Sequence, residues 1–188
     1  MTGTDVLEGG FADAAVEASH AFRAAMYAMA RPGRIHDIGG GRAPAPVSGA
    51  AASLLLTLCD RETPLHLAGA HDCAAVRDWI AFHLGSPLVG RGDAMFALGT
   101  WEALGALTDY PQGEPEYPDR SATLIVEVEA LSNQGARLTG PGVKDEAFLD
   151  LPDVEAFRRN AALFPLGVDC YFTQAGRIAA LPRSARIG

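Results

Sequence analysis

The apolar positions of the chain fall into short runs whose spacing alternates between helical and strand periods. From Asp13 to Ala30, the residues Val16, Phe22, Met26 and Met29 form a stripe at roughly helical spacing, and Arg31-Pro32-Gly33 stops it. A first helix is therefore predicted over 13–30. A short strand follows over 34–38, then a Gly39-Gly40-Gly41 loop. Residues 46–58 predict a second helix with Pro46 in its first turn, and 63–68 read as a strand. Asp72 stands where it can cap a third helix running to Leu84 and ended by Gly85. Another short strand is predicted over 94–98, and Thr100 caps a helix through Leu107. A proline- and acid-rich loop over 110–120 comes next.

Residues 123–130 are the clearest strand. Leu124, Val126 and Val128 face one way, and Thr123, Glu127 and Glu129 the other, which predicts a half-exposed strand near a sheet edge. Residues 137–139 make a short partner for it, and Asp153 caps a helix over 153–163. Residues 168–173 and 177–181 predict a hairpin around Gln174-Ala175-Gly176, with Gly176 suited to a positive φ. Helices and strands alternate in the first half, and antiparallel pairs dominate the second. The expected class is an α/β sandwich with a mixed sheet, in one domain over 1–188.

Composition narrows the function classes. A chain of 188 residues buries enough surface to fold without disulfides or a structural metal. Its net charge of −8 opposes non-specific attraction to nucleic acid or an anionic membrane, so an anionic ligand needs a local group of arginines. Lys144 is the sole lysine, and the other fourteen basic residues are arginines. Guanidinium forks for phosphate or carboxylate are thus plentiful and lysine chemistry scarce. Cys59, Cys73 and Cys170 are scattered without CxxC spacing, which fits a reducing compartment. The opening MTGTDVLEGG lacks a basic and an apolar signal-peptide region, and the longest apolar stretch, 50–59, is too short to span a bilayer. A soluble cytoplasmic protein is expected.

No nucleotide-binding signature and no G-x-S-x-G elbow occurs in the sequence. His66, His71, Asp72 and Cys73 cluster, but three of them are consecutive and cannot all face one ion, so no metal site is expected. His20 and His83 fall within helices as surface or hydrogen-bonded residues. Arginines beside turns and strand ends carry more chemistry: Arg31 precedes Pro-Gly, Arg120 precedes the clearest strand, and Arg183 and Arg186 follow the hairpin. Arg120 and Arg183 are the candidate anion ligands. The stretch LTGPGVKDE (138–146) resembles a phosphate cradle, but Pro141 has no N–H to offer. Lys144 is followed by Asp145 and Glu146, so it reads as a solvated turn residue rather than a Schiff-base lysine.

Several collinear segments together carry a family resemblance. They are GFADAAVEASHAFRAAMYAMARPG (10–33), LLLTLCDRETPLHLA (54–68), EYPDRSATLIVEV (116–128), LTGPGV (138–143), NAALFPLGVDCYF (160–172) and AALPRSAR (179–186). In this series the chain resembles the H subunit of the bacterial carbon–phosphorus lyase system, the PhnH family. It departs from the family's usual opening at Asp13-Ala14 and His20, which read closer to Asp-Pro and Gln there. The resemblance implies work in organophosphonate breakdown within a core complex of G, H, I and J subunits. That complex couples a phosphonate to the ribose C1 of ATP, giving ribose 1-phosphonate 5-triphosphate. The resemblance further implies a homodimer with a fold like that of PLP-dependent transferases but without PLP, no cofactor of its own, and no established catalytic residues. The expected role is a structural, non-catalytic subunit. The alternatives are a phosphonate- or nucleoside triphosphate-binding subunit using Arg120 or Arg183, and, remotely, a stand-alone PLP enzyme using Lys144.

Overall fold

The structure is a computed structural model that describes residues 9–188. Most of the opening MTGTDVLEGG, on which the signal-peptide reading rests, lies outside the described residues.

Helix α1 (Ala14–Ala30) begins where Asp13 accepts a hydrogen bond from the Val16 amide, while Glu17 reaches back to accept from the Ala12 amide at 2.6 Å. Strand β1 (His36–Asp37) is shorter than predicted. Helix α2 (Gly49–Leu58) starts later than predicted because Ser48, not Pro46, supplies the cap: its hydroxyl accepts from the Ala51 amide at 3.1 Å. After β2 (Leu65–Leu67) and a 3-10 turn at Gly69–His71 comes α3 (Ala74–His83). Its cap position belongs to Cys73, whose side chain accepts no capping bond, and Asp72 is drawn instead into a bidentate pair with Arg77 at 2.5 and 2.8 Å. Strand β3 (Phe96–Thr100) leads into the one-turn helix α4 (Trp101–Leu104), which stops three residues before the predicted end because Gly105 takes a φ of 78°.

Strand β4 (Thr123–Glu127) is followed by β5 (Ala136–Thr139) and β6 (Ala147–Leu149), then α5 (Val154–Ala161), capped by Asp153 as predicted. Strands β7 (Asp169–Gln174) and β8 (Arg177–Leu181) form the predicted hairpin, although Ala175, with φ 54°, takes the positive φ expected at Gly176. A last strand, β9 (Arg186–Ile187), extends the chain beyond the predicted elements.

The class is α/β with a mixed sheet. Its six strands run in the order β1-β8-β7-β4-β3-β2, with β2, β3, β4 and β7 parallel. A separate three-stranded sheet, β6-β5-β9, takes the segment 137–139 away from β4. Strand β4 is central rather than near an edge. Ile125 is buried on the face carrying α1, α2 and α3, while Leu124 and Val126 are buried on the face carrying α4, α5 and the small sheet. Both faces of a parallel strand are ordinarily covered.

Helix α1 turns three of the four residues of the predicted stripe outward, and only Met29 packs against the core. Its buried face is Ala21, Ala25 and Ala28, and small side chains let it lie close against Ala50, Ala51 and Ala52 of α2. Val16, Phe22 and Met26 are about half exposed. The end of α1 is held by the turn at 140–143. Gly142 has φ 80°, and a Cβ there would lie 2.0 Å from the Ala30 carbonyl oxygen, so only glycine allows this approach.

Candidate functional site

Open α/β sheets place ligands beyond the carboxyl ends of their parallel strands. Four elements converge there in this protein. Glu127 ends β4, Thr173 sits beside it near the end of β7, His71 arrives from the turn after β2, and Ser48 begins α2. One oxygen of Glu127 accepts from the Ser48 backbone N–H at 2.7 Å, and the other accepts from the Thr173 hydroxyl at 2.9 Å. The side chain is only 13% exposed. A helix N-terminus is a natural anion site, and here the protein fills it with its own carboxylate.

His71 lies on the other side of that carboxylate, its Nε2 4.0 Å from Glu127 Oε1. It is buried, and neither ring nitrogen has a hydrogen-bond partner among the described residues. Burial lowers its pKa; the Glu127 carboxylate and the Ala68 carbonyl pull the other way. Sequence reading missed Glu127 because alternation alone placed it on a solvent face. The available signal was the first acid after the apolar run Leu124-Ile125-Val126.

The two sequence candidates stand at the opposite edge. Arg183 follows β8; its amide donates to Asp169 at the start of β7, and its guanidinium donates to the Gly167 carbonyl at 2.9 Å and to the Ser121 hydroxyl. Arg120 immediately precedes Ser121. It is exposed, stacks over Tyr117 at 4.0 Å and stands 3.9 Å from Glu114. The structure thus brings both arginines to the amino ends of β4 and β7. Arg183 ties loops together there, while Arg120 faces solvent. Arg186 lies in β9, and Arg31 caps the end of α1.

The remaining candidates separate. His66 and Asp72 line a small cleft with Arg77, whereas His71 points to Glu127, so the run His71-Asp72-Cys73 diverges. Among the described residues no group of three or more metal-ligating side chains occurs. Lys144 is exposed in the turn between β5 and β6. A larger cavity of about 620 Å³ lies between α4 and α5, walled by Trp101, Leu107, Ala156 and Leu163 with Glu102 and Arg159 at its rim. Among the described residues no helix is long and apolar enough to cross a membrane.

Comparison with known proteins decides the family. The model of the family described as bacterial phosphonate metabolism protein (PhnH) matches residues 9–188. The chain belongs to the PhnH family. One curated relative is the alpha-D-ribose 1-methylphosphonate 5-triphosphate synthase subunit PhnH of Rhizobium meliloti (strain 1021). It is 37% identical over 195 residues, covering 98% of this chain and 96% of the relative.

Proposed function

We propose that this protein is a subunit of the enzyme that forms ribose 1-methylphosphonate 5-triphosphate in phosphonate breakdown. In that role it is a structural rather than a self-sufficient catalytic component, working in the cytoplasm beside the G, I and J subunits. The observation that carries this reading is the full-length similarity to a relative bearing that name. Two features of the molecule support the structural role. The carboxyl edge of the sheet, where such folds usually receive an anion, is occupied by Glu127 and backed by buried His71. Helix α1 also turns Val16, Phe22, Met26 and Tyr27 outward, a apolar surface of the kind that partners cover. That surface is suited to a homodimer or to another subunit. The fold is read as a relative of the PLP-dependent transferases that uses no PLP; the exposed Lys144 lacks the desolvation a Schiff-base lysine needs.

Co-expression with the G, I and J subunits, followed by pull-down and assay of triphosphate product from ATP and methylphosphonate, tests the reading. The protein is expected to co-purify, and its omission to abolish product. Turnover by the isolated chain, or full activity of the complex without it, overturns the structural role. The second reading is an anion-binding subunit using Arg120 or Arg183. It is favoured by the meeting of both residues at one sheet edge through Ser121.

A further inference from the structure

A groove of about 380 Å³ runs between α1 and β1, lined by His20, Arg23, Tyr27, His36 and Asp37. Its size falls within the range of small-molecule sites. Arg23 and Tyr27 are four residues apart and share one face of α1. Tyr27 stacks on His36, ring centres 6.4 Å apart, and the Arg31 guanidinium lies 5.6 Å from the centre of the Tyr27 ring. Arg34 completes the group, close enough to act electrostatically on His36 together with Arg31.

Three arginines thus surround a paired aromatic platform in a protein of net charge −8. None of them makes an ion pair among the described residues, a state they share with Arg42, Arg61, Arg159, Arg177 and Arg186. Asp37 is the single acid lining the groove. Asp37 offsets only part of the positive charge gathered here, and an oxyanion placed among the arginines relieves their remaining repulsion. We propose that the α1–β1 groove binds the phosphate or phosphonate head of an anionic small molecule, with Arg23 of its wall holding the head, Tyr27 flanking it, and Arg31 adding positive charge from beside the Tyr27 ring. The assignment deepens the subunit reading by placing an anion site away from both sheet edges. Binding to the isolated chain tests it independently of complex assembly.

His36 adds a pH signature. Burial and the charges of Arg34 and Arg31 lower its pKa, and Asp37 opposes them. His20, Arg23 and Tyr27 face it from α1, while β8 pairs Ile178 with His36 and Arg177 with Asp37. A bound anion offsets the arginines and favours His36 protonation, so by linkage affinity rises as pH falls.

Calorimetric titration of the full chain with methylphosphonate, inorganic triphosphate and ATP distinguishes a phosphonate source, a polyphosphate source and a nucleotide. The expected result is saturable binding of at least one probe at one site per chain. Arg23→Gln and Arg31→Gln should each weaken it about tenfold, and Arg137→Gln, in the exposed pair with Glu146, should leave it unchanged. All three arginines are exposed, so circular dichroism should show the variants folded. Sulfate, whose charge is constant over this range, should bind more tightly at pH 6 than at pH 8, and His36→Phe should reduce the difference. Flat isotherms for every probe overturn the proposal, as does binding lost in Arg120→Gln but kept in Arg31→Gln. Loss of partner pull-down by the arginine variants without binding of any probe also overturns it, and marks the groove as a protein-facing surface.

Discussion

At the scale of single residues, the most informative side chains are polar groups held where water does not reach. Glu127 ties the ends of β4 and β7 to the start of α2 through two hydrogen bonds, and its cost of burial is offset by the helix N-terminus it caps. His71 has no such compensation, since both ring nitrogens lack partners among the described residues. Burial lowers the pKa of His71, as it does for His36 and His83. A histidine in the unfolded chain titrates at about 6.5. On acidification through that value the unfolded state takes up protons that the folded state resists, so stability falls. Urea midpoints should therefore drop steadily from pH 7.5 to pH 5.5. His71→Leu removes one resisting group and an unsatisfied ring. It should flatten the profile while leaving stability at pH 7.5 unchanged or slightly raised. A midpoint independent of pH in the wild type would contradict this account.

At the scale of elements, α1 shows how far a hydrophobic pattern carries. Its existence, start and stop were legible: Asp13 caps it and Arg31-Pro32-Gly33 ends it. Its buried face was not. Periodicity marks where large apolar side chains recur, but the face that α1 turns to the core carries the alanines Ala21, Ala25 and Ala28, whose small side chains permit close packing. Tyr171 confirms the orientation by donating its hydroxyl to the Ala25 carbonyl at 3.2 Å. Ala25→Leu should thus cost about 1–3 kcal/mol by overpacking. Met26→Ser, one residue along, should change stability by no more than about 0.5 kcal/mol but weaken association with whatever covers the face. Chemical denaturation and analytical ultracentrifugation separate the two effects. Equal destabilisation by both would mean that the helix is turned differently.

At the scale of the whole molecule, the two apolar layers share their strands. On β4 and β7, Ile125 and Tyr171 belong to the layer under α1 and α2, while Leu124, Val126, Cys170 and Phe172 belong to the layer under α5. Neither layer keeps its floor if the other loses it. Thermal unfolding should accordingly be one cooperative transition, with calorimetric and van't Hoff enthalpies in agreement. Two resolved transitions would show that the small sheet and α5 form a separable unit.

What the sequence by itself determined follows from local physics and from a long collinear resemblance. Helix caps at Thr100 and Asp153, the stop at Gly85, and the β7–β8 hairpin depend on a few adjacent residues. The mixed α/β class and the family were legible for the same reason, each being the sum of many short signals. The tertiary structure alone decided the position of β4 at the centre of the sheet and the diversion of 137–139 into a second sheet. It also decided the capture of Glu127 by α2 and the gathering of Arg23, Arg31 and Arg34 around Tyr27 and His36. These depend on which strands become neighbours and which helix face turns inward. Such choices are set by contacts between residues tens of positions apart, as with Ser48 and Glu127, and no local period encodes them.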